Sequence, residues 1–244
     1  KTFKISRNQL LLFRAMQKMG SKKVFLKDWN AKINKKRLME YSGSLDFDKT
    51  GLEKYIVDGK SIALDEEEAA DYSNYNIYSP RVIEDTEDYE FNFHTHPGNR
   101  NTFIEPIHLG DIQVFIEANR DKNKTQGELV FAPEGIYLIR CKNQNRISKN
   151  IPEEDEAELD DKEMDIFENA NDYFVKVFNK RKNKNKLKYI YKFVSKYIKK
   201  KVINKMNKLY SKYNIYLDFF PVKYNKRTKV WSYSSIKLPV KVVE

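Results

Sequence analysis

Residues 89–94, Tyr-Glu-Phe-Asn-Phe-His, alternate without a break between aromatic and polar side chains. A period of two belongs to a strand with two unlike faces. The run ends in His94-Thr95-His96-Pro97, where proline stops the strand. Side chains two residues apart project from the same face, so His94 and His96 are presented together. The chain has three histidines; the third is His108, followed three residues later by Asp111 at the start of a predicted helix. Two imidazoles and one carboxylate can grip one zinc ion and leave a coordination position open, as catalytic zinc sites require. Water bound there ionises near neutral pH. Hydrolysis also needs a carboxylate that takes and returns the proton. A His-x-His pair taken alone is more often the mark of structural or surface histidines.

The rest of the chain supplies elements of both kinds. Residues 6–19 predict a helix, with Leu11, Ala15 and Met19 recurring every fourth residue, Leu12 and Met16 beside them, and Gly20 as the stop. Residues 37–47 predict a strand and 48–51 a turn. Lys54 to Leu64 predicts a hairpin around Asp58-Gly59, a strong two-residue turn signal. Residues 65–88 read as an acidic, irregular insertion, and 97–107 as a long loop. Leu109 to Asn119 predicts a helix with Ile112, Phe115 and Ile116 on one face. Residues 128–140 predict a hairpin across Pro133-Glu134. An acidic helix (152–171) and a Lys-rich amphipathic helix (186–211) follow, then strands in the tail. The fold class is therefore α/β (α+β), with a core at 1–150 and a helical and β extension at 151–244.

Charge narrows the function classes. Net charge is +11, but segregated: residues 153–168 hold 10 acids and one base, and residues 173–217 hold 15 bases and no acid. Such a basic block can meet phosphates, anionic head groups or an acidic protein face, or can neutralise the acids of its own chain. Lysine outnumbers arginine 36 to 10. That disfavours bidentate base or phosphate recognition, which uses arginine's planar fork. Apolar runs fall short of the ~20 residues of a membrane-spanning helix, so no transmembrane segment is expected. One cysteine, Cys141, excludes an intrachain disulfide framework and fits a reducing compartment, which predicts a cytoplasmic or nuclear location. The opening residues carry no secretory signal and no initial Met, so the natural start is expected upstream.

Glu40 on a strand with Gly43 and Leu45, then His94-Thr95-His96-Pro97, then Leu109-Gly110-Asp111, resemble the signature of the JAMM/MPN+ zinc metallopeptidases. The resemblance spans roughly residues 35–145. It implies a curved mixed β-sheet flanked by helices, zinc held by His94, His96 and Asp111, and Glu40 as the general acid/base. The implied reaction is attack of zinc-activated water on an amide or isopeptide carbonyl, with a ubiquitin-like conjugate among the implied substrates. Glu66, Glu67, Glu68 and Glu90 are rival carboxylates; Glu90 shares the face of His94 but stands ~13 Å away along an extended strand. The family's serine position holds His108 here. His108 can donate to the oxyanion in the serine's place, bind the metal as a third imidazole, or be inert; Thr102 is a substitute hydroxyl. The alternative reading is a catalytically weak or inactive structural protein on the same fold, in a large assembly such as a virion. Its basic arm (173–212) would dock on an acidic protein or, nonspecifically, on nucleic acid.

Overall fold

The computed structural model describes residues 1–22, 24–25, 36–62, 89–98, 104–120, 125–143, 146–179, 189–190 and 192–242. The expected acidic insertion, with Glu66, Glu67 and Glu68, and Thr102 lie outside the described residues.

The fold is mixed α/β. In chain order the strands are β1 (Thr2–Ile5), β2 (Val24–Phe25), β3 (Lys36–Arg37), β4 (Met39–Phe47), β5 (Leu52–Ile62), β6 (Phe91–Thr95), β7 (Gly127–Ala132), β8 (Gly135–Cys141), β9 (Ile215–Pro221), β10 (Lys223–Asn225), β11 (Val230–Ser232) and β12 (Ile236–Pro239). The helices are α1 (Arg7–Gly20), α2 (Leu109–Arg120), α3 (Glu153–Asn179) and α4 (193–210). One six-stranded sheet, ordered β5-β4-β6-β7-β8-β9, forms the centre. Its neighbours run antiparallel except β6 and β7, which are parallel. A parallel pair needs a crossover, and α2 lies within it. The loop leaving β6 and the start of α2 therefore lie at the end of the sheet where β6 stops.

Alternation along the strands divides the core in two. Leu45, Phe47, Phe91, Phe93, Leu129 and Phe131 pack with α1 and the β1–β12 pair. Val130, Ala132, Tyr137, Ile139, Leu217 and Phe219 pack beneath α2, α3 and α4. The C-terminal residues thus build both layers: β9 closes the sheet and β12 pairs with β1.

Several elements differ from the sequence expectation in instructive ways. Helix α1 forms, with Ser6 and Gln9 closing a reciprocal capping box. Its buried face, however, is Leu10, Phe13 and Met16, while Leu11 and Met19 are exposed. Phe13 decides this: its ring stacks on Phe131 at 4.4 Å and meets Phe93 edge-on at 5.0 Å. Asp58-Gly59 is not a hairpin turn. Strand β5 runs through it, and Ser42 pairs with Gly59 while Gly43 pairs with Val57, which leaves Asp58 as the extra residue of a bulge. The chain reverses instead at Asp48–Gly51, where the Asp48 carboxylate accepts from the Thr50 and Gly51 N–H groups at 2.7 and 2.8 Å. Within α4, Phe193–Val202 is wound as a π-helix and Ile203–Tyr210 as an α-helix. The Ile203 N–H bonds back to the Ile198 carbonyl, the i→i+5 pattern. Phe193, Val194, Ile198 and Val202 remain on the buried side.

The acidic and basic helices touch through apolar side chains, Phe174 against Phe193 at 4.8 Å among them. Lys212 pairs with Asp155 at 2.9 Å. Lys192, Lys196, Lys199, Lys200, Lys201, Lys205 and Lys208 face outward. Among the described residues no helix is long and apolar enough to cross a membrane.

Candidate metal centre

Strand β6 presents His94 on the face covered by α2, beside Val130 of β7. His96 lies one step past the end of β6 but is still held to the sheet, because its N–H donates to the Phe131 carbonyl at 3.1 Å. From the other layer Gln17 donates to the His96 carbonyl at 3.2 Å, and the Gly98 N–H donates to Ser21 at 2.6 Å. The His-x-His-Pro turn is thus fastened on two sides. Asp111 is the third residue of α2. Its carboxylate accepts the backbone N–H of His108 at 2.9 Å, the reach-back half of a capping box. Helix capping therefore also aims this carboxylate toward β6.

The two imidazoles and the carboxylate converge. Nε2 of His94 and Nε2 of His96 are 3.1 Å apart, and these atoms lie 3.2 and 3.4 Å from the two oxygens of Asp111. One ligand atom from each residue falls within 4.8 Å of the others. Donor atoms ~2.0–2.1 Å from a tetrahedral centre stand ~3.3 Å from each other. The spacings, with the two imidazoles reaching different oxygens of Asp111, lie near that edge length, so the three side chains could hold one small cation.

The electrostatics point the same way. Burial opposes a charge on His94, yet Asp111 and Glu128 outweigh it and hold the imidazole pKa well above its ordinary value. For His96, burial and the charge of His94 lower the pKa, but Asp111 and Glu40 raise it further, for a net rise. Burial would raise Asp111; His96 and His94 instead hold its carboxyl well below the usual range. The carboxylate and the two imidazoles thus each favour the other's charged form.

Glu40 lies on β4 beyond its last ladder pair with β6, Ser42 with His94. Two residues further along that register, it stands across from His96 on the same sheet face. The Tyr41 N–H donates to Thr95 Oγ1 at 2.9 Å and keeps the strands together there. Glu40 is half-buried and close enough to act electrostatically on His96. Its rival Glu90 is buried and accepts the Phe47 N–H at 2.8 Å. His108 is exposed at the rim; its Nε2 is 3.5 Å from Asp111 and its ring stacks on His96 at 5.5 Å.

Three further carboxylates and one carbonyl serve the centre unannounced by any motif. Glu128 on β7 is 3 % exposed, and its Oε1 accepts from His94 Nδ1 at 2.5 Å. The Glu105 carbonyl accepts from His96 Nδ1 at 3.1 Å. Glu134, pushed up to about 7 by burial, accepts from the Glu105 N–H and from the Tyr137 hydroxyl. Glu163 on α3, pushed up to about 8 by burial with help from the charge of Asp111, accepts from the Tyr210 hydroxyl. A signal for Glu128 did exist: it is the lone charge in Gly-Glu-Leu-Val-Phe-Ala, a run that reads as a buried strand.

No family model matches the chain, and no solved structure matches it. Over 249 residues, 96 % of this chain, it is 26 % identical to an uncharacterized protein of Acanthamoeba polyphaga mimivirus. The chain spans 64 % of that protein's length.

Proposed function

We propose that this chain is a zinc-dependent hydrolase of amide or isopeptide bonds, of the JAMM type that its motifs resemble. One observation carries the reading: two Nε2 atoms and a carboxylate, from a strand end and a helix start, stand at tetrahedral edge distances. The ligand set is His94, His96 and Asp111. A mixed nitrogen and oxygen donor set with room for a fourth ligand suits zinc. A divalent ion there supplies a Lewis acid and makes water a nucleophile near neutral pH.

The chain's own residues do the rest. Glu40, facing His96 from the neighbouring strand, takes a proton from the attacking water and returns it to the leaving amine nitrogen. Asp111 and the two imidazoles fix the electrophilic point. His108, exposed beside Asp111, donates an N–H to the oxygen that gains charge during attack, in the serine's place. Its position at the open rim favours this role over a third metal ligand. A ubiquitin-like isopeptide conjugate is the substrate class the motif resemblance suggests. The outward lysines of α4 favour a second role, docking on an acidic surface, and such binding should weaken steeply with salt.

Metal analysis of the purified chain should find about one zinc per chain, lost in His96→Ala. Glu40→Gln should retain the metal and lose hydrolysis of an isopeptide-linked ubiquitin-type conjugate. A chain that binds no divalent ion, or a Glu40→Gln variant with full activity, would overturn the reading.

A further inference from the structure

We infer that Glu128 is the residue that positions His94 for metal binding, by fixing which ring nitrogen carries the proton. This rests on the metal reading above. Glu128 sits at an interior position of β7, paired with Asn92 of β6 and Ile139 of β8, where sheet alternation sends its side chain into the layer beneath α2. A carboxylate at 3 % exposure is costly unless a partner compensates it. Its Oε1 faces His94 Nδ1 at 2.5 Å; its Oε2 is buried with no hydrogen-bond partner among the described residues.

The chemistry of that contact is specific. A carboxylate accepts only, so Nδ1 keeps its hydrogen, and the proton that leaves when a metal binds is the one on Nε2, whose lone pair is then free. Nε2 is the atom that faces Asp111 and His96. The same contact holds the ring in plane and makes Nε2 more basic. His96 is oriented differently, through the neutral carbonyl of Glu105. Of the two histidines, His94 thus has the ionic support. Asp111 and Glu128 together bring two negative charges to the centre, which balance a divalent cation.

The test uses the full chain with Glu128→Gln and Glu128→Leu. Zinc affinity is measured by competition with a chelator, and the His94 tautomer by imidazole nitrogen NMR of the metal-free chain at a pH high enough for the ring to be neutral. The glutamine carbonyl still accepts from Nδ1, so the variant should keep the tautomer and lose about tenfold in affinity, while leucine should lose on the order of 100-fold and mix the tautomers. A purely structural role for Glu128 would leave the tautomer signature unmoved in the folded glutamine and leucine variants alike. Wild-type zinc affinity in Glu128→Gln together with an unchanged tautomer in Glu128→Leu would overturn this inference and leave the metal reading standing. Should leucine prevent folding, wild-type affinity in Glu128→Gln overturns it alone. No zinc binding by the wild type would overturn both.

Discussion

Metal binding at this centre must expel protons, and their number follows from the geometry. In the metal-free state His94 and His96 both have raised pKa values, because burial is outweighed by Asp111, assisted by Glu128 at His94 and by Glu40 at His96. A metal takes the Nε2 lone pair, so each protonated imidazole gives up one proton. Asp111, held well below the usual carboxyl range, has none to give. Below the two raised values, binding therefore releases up to about two protons. Each proton is worth ~1.4 kcal/mol per pH unit, so affinity should rise by up to ~2.7 kcal/mol, or roughly 100-fold, for each unit of pH. The slope flattens once pH passes the metal-free values. Calorimetry in buffers of different ionisation enthalpy counts the protons, and chelator competition from pH 5.5 upward gives the slope (a range set by ~6.5, the ordinary imidazole value). His96→Ala removes the ligand and should abolish both signals. Binding that is tight yet independent of pH, with no proton released, would refute the argument: it would mean that the imidazoles are neutral before the ion arrives.

Glu163, pushed up to about 8 by burial, is protonated in the fold and ionised in the unfolded chain at neutral pH. Its contribution is thus fully present below an unfolded value of ~4.3 and is lost as pH rises through about 8, a loss on the order of 5 kcal/mol. Glu163→Gln should flatten the denaturant-unfolding stability of the chain between those limits, and an unchanged slope would contradict the assignment. Phe13→Ala removes a fully buried ring stacked on Phe131 and should cost ~3–5 kcal/mol by the same assay. Asn119 accepts from the Ser148 N–H at 2.8 Å and from Cys141, and donates to the Thr125 carbonyl at 2.8 Å. Asn119→Leu strands these buried groups and should cost ~1–3 kcal/mol, read as a fall in the unfolding midpoint; a neutral result would mean that water takes over the bonds.

The short-range patterns were legible because they are local. Alternation in residues 89–94, the proline after His96, the helical spacing of Ile112, Phe115 and Ile116, and the reversal at Pro133-Glu134 each depend on neighbours within a few residues. The convergence of His94, His96 and Asp111, a group that could hold a metal ion, was legible for the same reason, since strand alternation and an early acid in a helix need no distant partner. Where two local signals competed, the sequence was ambiguous. Asp58-Gly59 carries a turn signal, but the extended pairing of β5 with β4 absorbs it as a bulge. Leu11 and Met19 are as apolar as Leu10 and Met16, and only the aromatic cluster around Phe13 selects the buried face.

What the sequence determined by itself is much of the local patterning and the identity of the groups that could hold an ion. What the tertiary structure decided is their charge state and support. The parallel pairing of β6 with β7 brings Glu128 to His94 across 34 residues of chain, and the β7–β8 turn brings Glu134 to the Glu105 peptide. A carboxylate beside an imidazole acts over a few ångströms of low-dielectric interior, and such proximity has no counterpart in residue spacing.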